Sequence, residues 1–407
     1  MMLKEPFLKA IPVIKKIEDA GFEAYFVGGS VRDLLMNKPI DDVDIATSAT
    51  PEEIKNIFDK TVDVGIEHGT ILVLYGGESY EITTFRTEGN YVDYRRPESV
   101  SFVKSLEEDL SRRDFTMNAI AMTKEGNFID PFHGMEDIKN TIIRSVGNPE
   151  NRFSEDALRM LRAVRFVSQL GFEMEAETNK ALAKLAHLLE HIAVERKLIE
   201  FGKLLIGEYK TKALQLFVDS GLYRYVPLFI NFSDSLKNIA KLTDGHILTE
   251  NEMWALIMIL IEQDQESKPF RAWKMSTKQM KEIQAICRVF RWRKKNDWTK
   301  IDLYRFGLNI SKSAEKLFSL INNKDYEKTL EEMEKIFDSL PIKERKELAV
   351  SGNDLMIWEN RKSGPWIKER LEMIENAVVN GELENEKLKI KEWLNLWNNE
   401  MKKETKQ

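Results

Sequence analysis

Two aspartates one residue apart, Asp42 and Asp44, stand in the run Asp42-Val43-Asp44-Ile45-Ala46, where charged and apolar residues alternate. On a strand, positions i and i+2 face the same way, so the two carboxylates project side by side. Adjacent carboxylates repel, and such a pair calls for a cation or a shared proton. Hard oxygen ligands suit Mg²⁺, an ion that also binds substrate phosphates. Glu81, inside the strand-like run Tyr80–Phe85, offers a third carboxylate from a neighbouring strand. This is the equipment of two-metal phosphoryl transfer, one ion activating a hydroxyl and the other steadying the leaving pyrophosphate. Upstream, Ala24–Val27 runs into Gly28-Gly29-Ser30-Val31-Arg32-Asp33: a strand, a double glycine and a helix start. The glycines let a bulky anion approach the backbone, and the helix N-terminus favours phosphate. Arg32, one turn in, adds a charge-assisted donor. In isolation the double glycine reads as a tight turn and the Asp pair as a solvated loop. Their closeness in sequence favours the chemistry.

The elements that must position these groups are legible in outline. The chain has 407 residues and a formal net charge of −6, with 61 Lys+Arg against 67 Asp+Glu. That length suggests two to four domains, and 43% hydrophobic residues allow a large core. A single cysteine, Cys287, excludes an internal disulfide framework and a Cys-rich zinc site. The longest apolar run, Met253–Ile261, falls far short of the about 20 residues of a membrane span. The N-terminus lacks the apolar core of a signal peptide. A cytoplasmic protein without a membrane partner is expected. The charge argues against indiscriminate nucleic-acid binding but allows a local basic groove.

All eight tryptophans lie after residue 250, whereas the short β-rich runs all lie early. Strands are predicted at Ala24–Val27, Val43–Ala46, Thr61–Val64, Thr70–Tyr75 and Tyr80–Phe85, each bounded by turn formers. Helical patterns at Leu8–Ala20 and Pro51–Phe58 flank them, the second with Thr50 as N-cap and Glu53 at the capping-box position. From about Ser154 the apolar period becomes helical, with no convincing strand afterwards. The fold class read here is an α+β head with a mixed sheet of about five strands, followed by an all-α remainder.

The later motifs narrow the reading. Gly28–Asp33 with Asp42-Val43-Asp44 resembles the head of the DNA-polymerase-β-like nucleotidyltransferases. Arg112-Arg113-Asp114-Phe115-Thr116-Met117-Asn118-Ala119-Ile120-Ala121 and Arg152-Phe153-Ser154-Glu155-Asp156-Ala157-Leu158-Arg159-Met160-Leu161-Arg162-Ala163-Val164-Arg165-Phe166 resemble the bacterial-type (class II) tRNA CCA-adding enzymes. Leu340-Pro341-Ile342-Lys343 and Ala377-Val378-Val379-Asn380-Gly381-Glu382 are similar to Bacillus-type members, so the resemblance spans nearly the whole chain. It implies a seahorse-like order of head (1–145), neck (146–205), body (206–300) and tail (301–407). It implies stepwise addition of C, C and A to tRNA 3′ ends from CTP and ATP, without a nucleic-acid template. Asp42 and Asp44 match metal-binding carboxylates, and Glu81 a third. Gly29 and Arg32 match nucleotide-phosphate contacts. Arg113, Asp156, Arg159, Arg162 and Arg165 match nucleotide-binding positions. The tail is expected to grip the tRNA elbow. The oligomeric state stays open, a homodimer included.

The selection chemistry follows from bonding alone. An ionised Asp only accepts and Arg only donates. Cytosine and adenine both present an amine donor beside a ring-nitrogen acceptor; uracil and guanine present the reverse. Asp156 with Arg159, three residues apart on a helix, would thus accept C and A and leave U and G unpaired, at about 1–3 kcal/mol per group. Arg162 and Arg165 continue the spacing, but each step lags by about 60°, so the stripe winds. These far arginines suit phosphates or RNA better than the same base edge. The run Arg86–Pro97 reads as a long mixed-charge loop, which in the family resembles a flexible loop tied to the switch to A. Poly(A) polymerase, A-only addition and a non-catalytic RNA-binding protein are the rival readings. His187-Leu188-Leu189-Glu190-His191 matches a zinc-protease pattern but reads as ordinary helix surface. Arg288–Lys295 reads equally as an RNA-backbone contact or as a helix end with Phe290 and Trp292 in the core.

Overall fold

The computed structural model describes residues 3–65, 69–88, 91–92, 96–97, 100–264 and 267–404. Backbone contacts divide the chain into two units, Met1–Glu250 with Lys268–Met275, and Asn251–Ser267 with Ser276–Gln407.

The first unit opens with α1 (Phe7–Asp19), whose Phe7, Ala10, Val13, Ile14 and Ile17 recur at helical spacing and are buried. β1 (Ala24–Val27), α2 (Gly29–Leu35), β2 (Asp44–Thr47) and α3 (Pro51–Ile57) follow. Thr50 starts α3 as its spacing predicts. Its Oγ1 accepts from the Glu53 N–H at 3.4 Å, and the Glu53 carboxylate accepts from the Thr50 N–H at 2.7 Å. β3 (Thr61–Gly65), β4 (Thr70–Tyr75) and β5 (Glu78–Thr84) come next.

The sheet has seven strands rather than about five: β10 (Ala121–Met122) and β11 (Phe128–Ile129) extend it to the order β11-β10-β1-β2-β5-β4-β3. These two additions are two residues each, too short to print a two-residue period. The β2–β5 pair is parallel and the other neighbours antiparallel, so the sheet is mixed. Alternate residues feed two cores, as a pleated strand requires. Phe26 and Ile45 join Phe7, Ile54 and Ile82 on the side of α1 and α3. Val27 and Ala46 join Phe85, Leu106 and Leu110 on the other. Leu106 and Leu110 belong to α4 (Leu106–Ser111).

The segment read as a plain loop carries two short ladders. β6 (Arg86–Glu88) pairs with β9 (Val100–Phe102), and β7 (Tyr91–Val92) with β8 (Arg96–Pro97). Residues 89–90 and 93–95 of that segment lie outside the described residues, as do 66–68, 98–99 and the last residues of the tail.

After α5 (Gly134–Lys139) and β12 (Ile142–Ile143), helices dominate: α6 (Pro149–Glu155), α7 (Leu158–Leu170), α8 (Ala176–Leu185), α9 (Val194–Leu205), α10 (Lys210–Asp219) and α11 (Ser233–Leu242). One strand was not foreseen there: β13 (Glu173–Met174) lies parallel to β12. It is again two residues long and leaves no period. Phe201, Phe217, Phe229 and Trp273 form an aromatic core, with ring centroids 5.2–5.6 Å apart. Trp273 follows the short α13 (Lys268–Ala272).

In the second unit, Met253–Met258 of α12 (Glu250–Leu260) are buried all round, Trp254 completely. α14 (Thr277–Arg293), α15 (Lys300–Phe306), α16 (Leu308–Ile321) and α17 (Glu327–Asp338) precede α18 (Gly352–Glu359), α19 (Trp366–Asn380) and α20 (Lys387–Glu404). A core of Leu340, Ile342, Leu355, Ile374, Val378 and Ile390 gathers the last three helices. The basic run at the end of α14 takes its packing reading. Phe290 is buried, Trp292 meets Trp298 and Phe306, Arg291 pairs with Asp264 and Arg293 with Glu315. Among the described residues, no helix is long and apolar enough to cross a membrane.

Candidate active site

Strand register builds the site. β1 and β2 run antiparallel with Val27 opposite Asp44, and β2 and β5 run parallel with Asp44 opposite Glu81. Val27, Asp44 and Glu81 therefore stand in line at one end of the sheet, where the chain leaves β1 through Gly28. Gly28 has φ +75°, and a Cβ there would meet Arg113 Nη1 and Asp44 Oδ2, each at 3.3 Å. Only glycine lets the turn pass this close to the carboxylate. The Ser30 hydroxyl donates to the Val27 carbonyl at 3.0 Å and ties the turn to the strand.

Asp44 and Glu81 make no ion pair or side-chain hydrogen bond with a described residue, and both line the same cavity. Burial raises the Asp44 carboxyl above its ordinary value. Glu81 raises it further, Arg113 opposes, and Asp42 adds to the rise. The Asp44 side chain is exposed to solvent and lines the cavity. Two like charges side by side are the arrangement a divalent cation relieves, so these residues fit Mg²⁺.

Asp42 corrects the expectation of two aspartates on one strand. It precedes β2, is exposed, and does not line the cavity. The alternation itself persists, since Val43 between the two is buried. Among the described residues, no group of three Asp, Glu, His or Cys side chains is close enough to hold a metal, so Asp42 is not gathered with Asp44 and Glu81. The same holds for His187 and His191. Both are exposed on a 3₁₀ turn, Ala186–His191, rather than on an α-helix face.

The cavity holds about 1200 Å³. Gly29, Arg32, Arg113, Asp156, Arg159, Arg162 and Arg165 line it with Asp44 and Glu81, so every predicted site residue but Asp42 is brought together. Nine Arg or Lys side chains line it against four Asp or Glu. A chain of net charge −6 thus concentrates cations where a polyanion would enter.

Most of these cations are already engaged. Arg32 donates to Asp33 at 2.9 Å and to Asn118 Oδ1 at 2.8 Å. Arg113 shares the buried Asp109 with Arg112. Burial alone would raise Asp109, but Arg112 and Arg113 hold its carboxyl below its ordinary value. Arg162 grips the buried Asp114 through Nε at 2.8 Å and Nη2 at 2.5 Å. There too burial opposes, yet Arg162 and the Asn118 hydrogen bond hold the carboxyl well below the usual range. Arg165 pairs with Glu200 of α9 at 3.0 Å. The winding stripe thus delivers successive arginines to different partners, and the two far ones meet carboxylates of the chain itself. The Phe166 ring lies 4.3 Å from the Arg165 guanidinium carbon, 5.2 Å from that of Arg32 and 5.7 Å from that of Arg162.

Asp156 departs from its predicted setting. It is not on a helix with Arg159; it is the extended residue (φ −132°, ψ 101°) between α6 and α7. Its Oδ1 accepts from the Leu158 N–H at 3.0 Å, which restarts the helix, and its carboxylate takes both terminal nitrogens of Arg196 at 3.4 and 2.8 Å. Arg159 turns the other way, to the Arg112 carbonyl at 2.9 Å and Glu155 at 3.4 Å. Arg196, Asp114 as a partner for Arg162, and Glu200 were missed by the sequence reading. Each acts across a long separation that no local period records.

Comparison with known proteins agrees with this geometry. Residues 24–144 match the Poly A polymerase head domain model, 171–232 the probable RNA and SrmB-binding site of polymerase A, and 246–394 a putative tRNA nucleotidyltransferase domain 2. The CCA-adding enzyme of Geobacillus sp. (strain WCH70) is 49% identical over 393 residues, 96% of this chain and 97% of that protein. That of Bacillus cereus (strain B4264) is 48% identical over 390 residues, 96% of this chain and 98% of that protein. A crystal structure of the Bacillus stearothermophilus CCA-adding enzyme in complex with CTP superposes with a TM-score of 0.87 at 45% identity, covering 99% of this chain and 100% of that one. The mixed-sheet head, the helical remainder and this degree of identity over nearly the full length place the chain in the family of CCA-adding enzymes, the tRNA nucleotidyltransferases.

Proposed function

We propose that the chain adds C, C and A stepwise to the 3′ end of tRNA, taking CTP and ATP and releasing pyrophosphate, in maturation and repair of that end. The observation that carries this reading is the line of Val27, Asp44 and Glu81 at the end of the sheet, opening into a cavity rich in arginine. The tRNA 3′-hydroxyl attacks the α-phosphate in line, and pyrophosphate leaves. Asp44 and Glu81 would hold Mg²⁺, and Asp42, at the edge of β2 and outside the cavity lining, would join them only when the ion binds. When bound, the ion supplies charge neutralisation at the phosphates and a more acidic attacking hydroxyl. Gly29 and Arg32 sit at the triphosphate, and Arg113 beside Gly28 adds positive charge there.

Asp156 and Arg159 select the base. A carboxylate offers about four lone-pair sites. Leu158 and Arg196 use three on Asp156, which leaves one for the amine of cytosine or adenine. Arg159 keeps unspent N–H donors for the ring nitrogen. One carboxylate set and one selector serve both nucleotides. The chain divides into head (1–145), neck (146–205), body (206–300) and tail (301–407), works in the cytoplasm, and holds the tRNA elbow with its tail.

The test is a tRNA transcript lacking its 3′ CCA, incubated with Mg²⁺ and with CTP and ATP separately and together, its products sized at single-nucleotide resolution. Growth by two with CTP and by three with both, then a stop, is expected. Addition of A only to a CC end, or a long A ladder, would replace this reading with A-only addition or poly(A) synthesis.

A further inference from the structure

Of the cationic side chains that line the cavity, Lys203 stands apart. Arg196 is engaged by Asp156, Arg162 by Asp114 and Arg165 by Glu200. Lys203 is exposed and makes no ion pair, hydrogen bond or ring contact with a described residue. It lies on α9 about two turns, or ~10 Å, beyond Arg196 and on the same face of the helix. Ile206, next along that face, also lines the cavity and is 49% exposed; Ile199, one turn before Lys203, is 57% exposed. An unengaged ammonium flanked by uncovered aliphatic side chains matches a ligand with a charged backbone and flat rings. The volume points the same way: about 1200 Å³ exceeds the ~300–1,000 Å³ that a single small ligand takes.

We propose that this face of α9 receives the 3′-terminal nucleotides of the RNA being extended, with Lys203 on a backbone phosphate and Ile206 against a base or ribose. The assignment rests on the nucleotidyl-transfer reading of the cavity and adds the seat of its second substrate. Arg196 holds the selector at one end of the helix face, and Lys203 holds the primer two turns away.

Filter binding of a tRNA ending in CC, across a salt series, tests this with wild type, Lys203→Ala, Lys203→Glu and Lys203→Arg. Lys203→Glu is expected to weaken RNA binding about tenfold, and Lys203→Ala to lower the slope of log affinity against log salt by about 0.7. Lys203→Arg should restore binding, and CTP affinity measured by calorimetry should not move. Unchanged RNA affinity and slope in Lys203→Glu would overturn the assignment. So would an equal loss of CTP affinity, which would put Lys203 on the triphosphate instead. RNA binding decides the matter whether or not the RNA is extended; extension by the wild-type chain separately tests the reading beneath it.

Discussion

Two parts of the cavity lining treat charge in opposite ways. At the end of the sheet, Asp44 and Glu81 stand opposite each other in a parallel register with no cation among the described residues bonded to either, and the Asp44 carboxyl is raised. Around α7 and α4, the arginines have carboxylate partners: Arg162 has Asp114, Arg165 has Glu200 of α9, and Arg112 and Arg113 share Asp109. The matched groups complete themselves and hold the shape. The unmatched pair has no partner among the described residues, and the proposed function assigns it the metal ion. A charge left unfavourable in the folded chain marks where chemistry is done, and a charge fully partnered marks what positions it.

The largest effect is expected at Asp44. If Asp44 holds the metal as proposed, Asp44→Asn is expected to reduce nucleotide addition on the order of 10³-fold, several kcal/mol of barrier. Its stability should move the other way. A carboxyl whose folded pKa is raised disfavours the fold above that pKa, so removing the charge should raise Tm slightly in metal-free buffer at neutral pH. A fall in Tm would mean that Asp44 is a partnered group after all.

On the matched side, Arg162→Ala leaves Asp114 buried without its cation. A loss of about 3 kcal/mol is expected in urea unfolding. The acid limb has a definite sign. Unfolded aspartates titrate near ~4, and Asp114 and Asp109 are held lower in the fold. Their contribution is therefore fully present above ~4 and is lost as pH falls through the folded values. Wild-type urea midpoints should drop steeply below that point, and those of Asp114→Asn less so.

Arg196→Ala acts at the proposed base selector. It unpins Asp156 without touching Asp44 or Glu81. Discrimination of CTP over UTP should fall by about tenfold, read from single-nucleotide extension rates, with CTP addition itself less affected. Smallest and most remote, Thr50→Ala removes the capping box of α3 and should cost about 1 kcal/mol in stability while leaving addition intact.

Much of this was legible in sequence, and what was not has a common cause. β1 and β4 fall where turn residues and β-branched runs put them, and the Thr50–Glu53 box forms as its spacing requires. The Asp44–Glu81 neighbourhood matches the reading of Glu81 as a carboxylate on a neighbouring strand, whereas the alternation argument, made for Asp42 and Asp44, failed because Asp42 precedes β2. Reading Asp156 onto one helix with Arg159 failed because a period cannot show a single extended residue whose own side chain restarts the helix. The partners of Arg162, Arg165 and Asp156 lie 48, 35 and 40 residues away, so only folding pairs them. β10, β11 and β13 are too short to announce themselves.

In the proposed mechanism, one carboxylate set serves both nucleotides. This is tested most directly by measuring, in wild type and Asp44→Asn, the rate of C addition to a tRNA lacking CCA and of A addition to a tRNA ending in CC. The account predicts that both rates collapse together. Survival of either step in Asp44→Asn at a rate near that of wild type would contradict it.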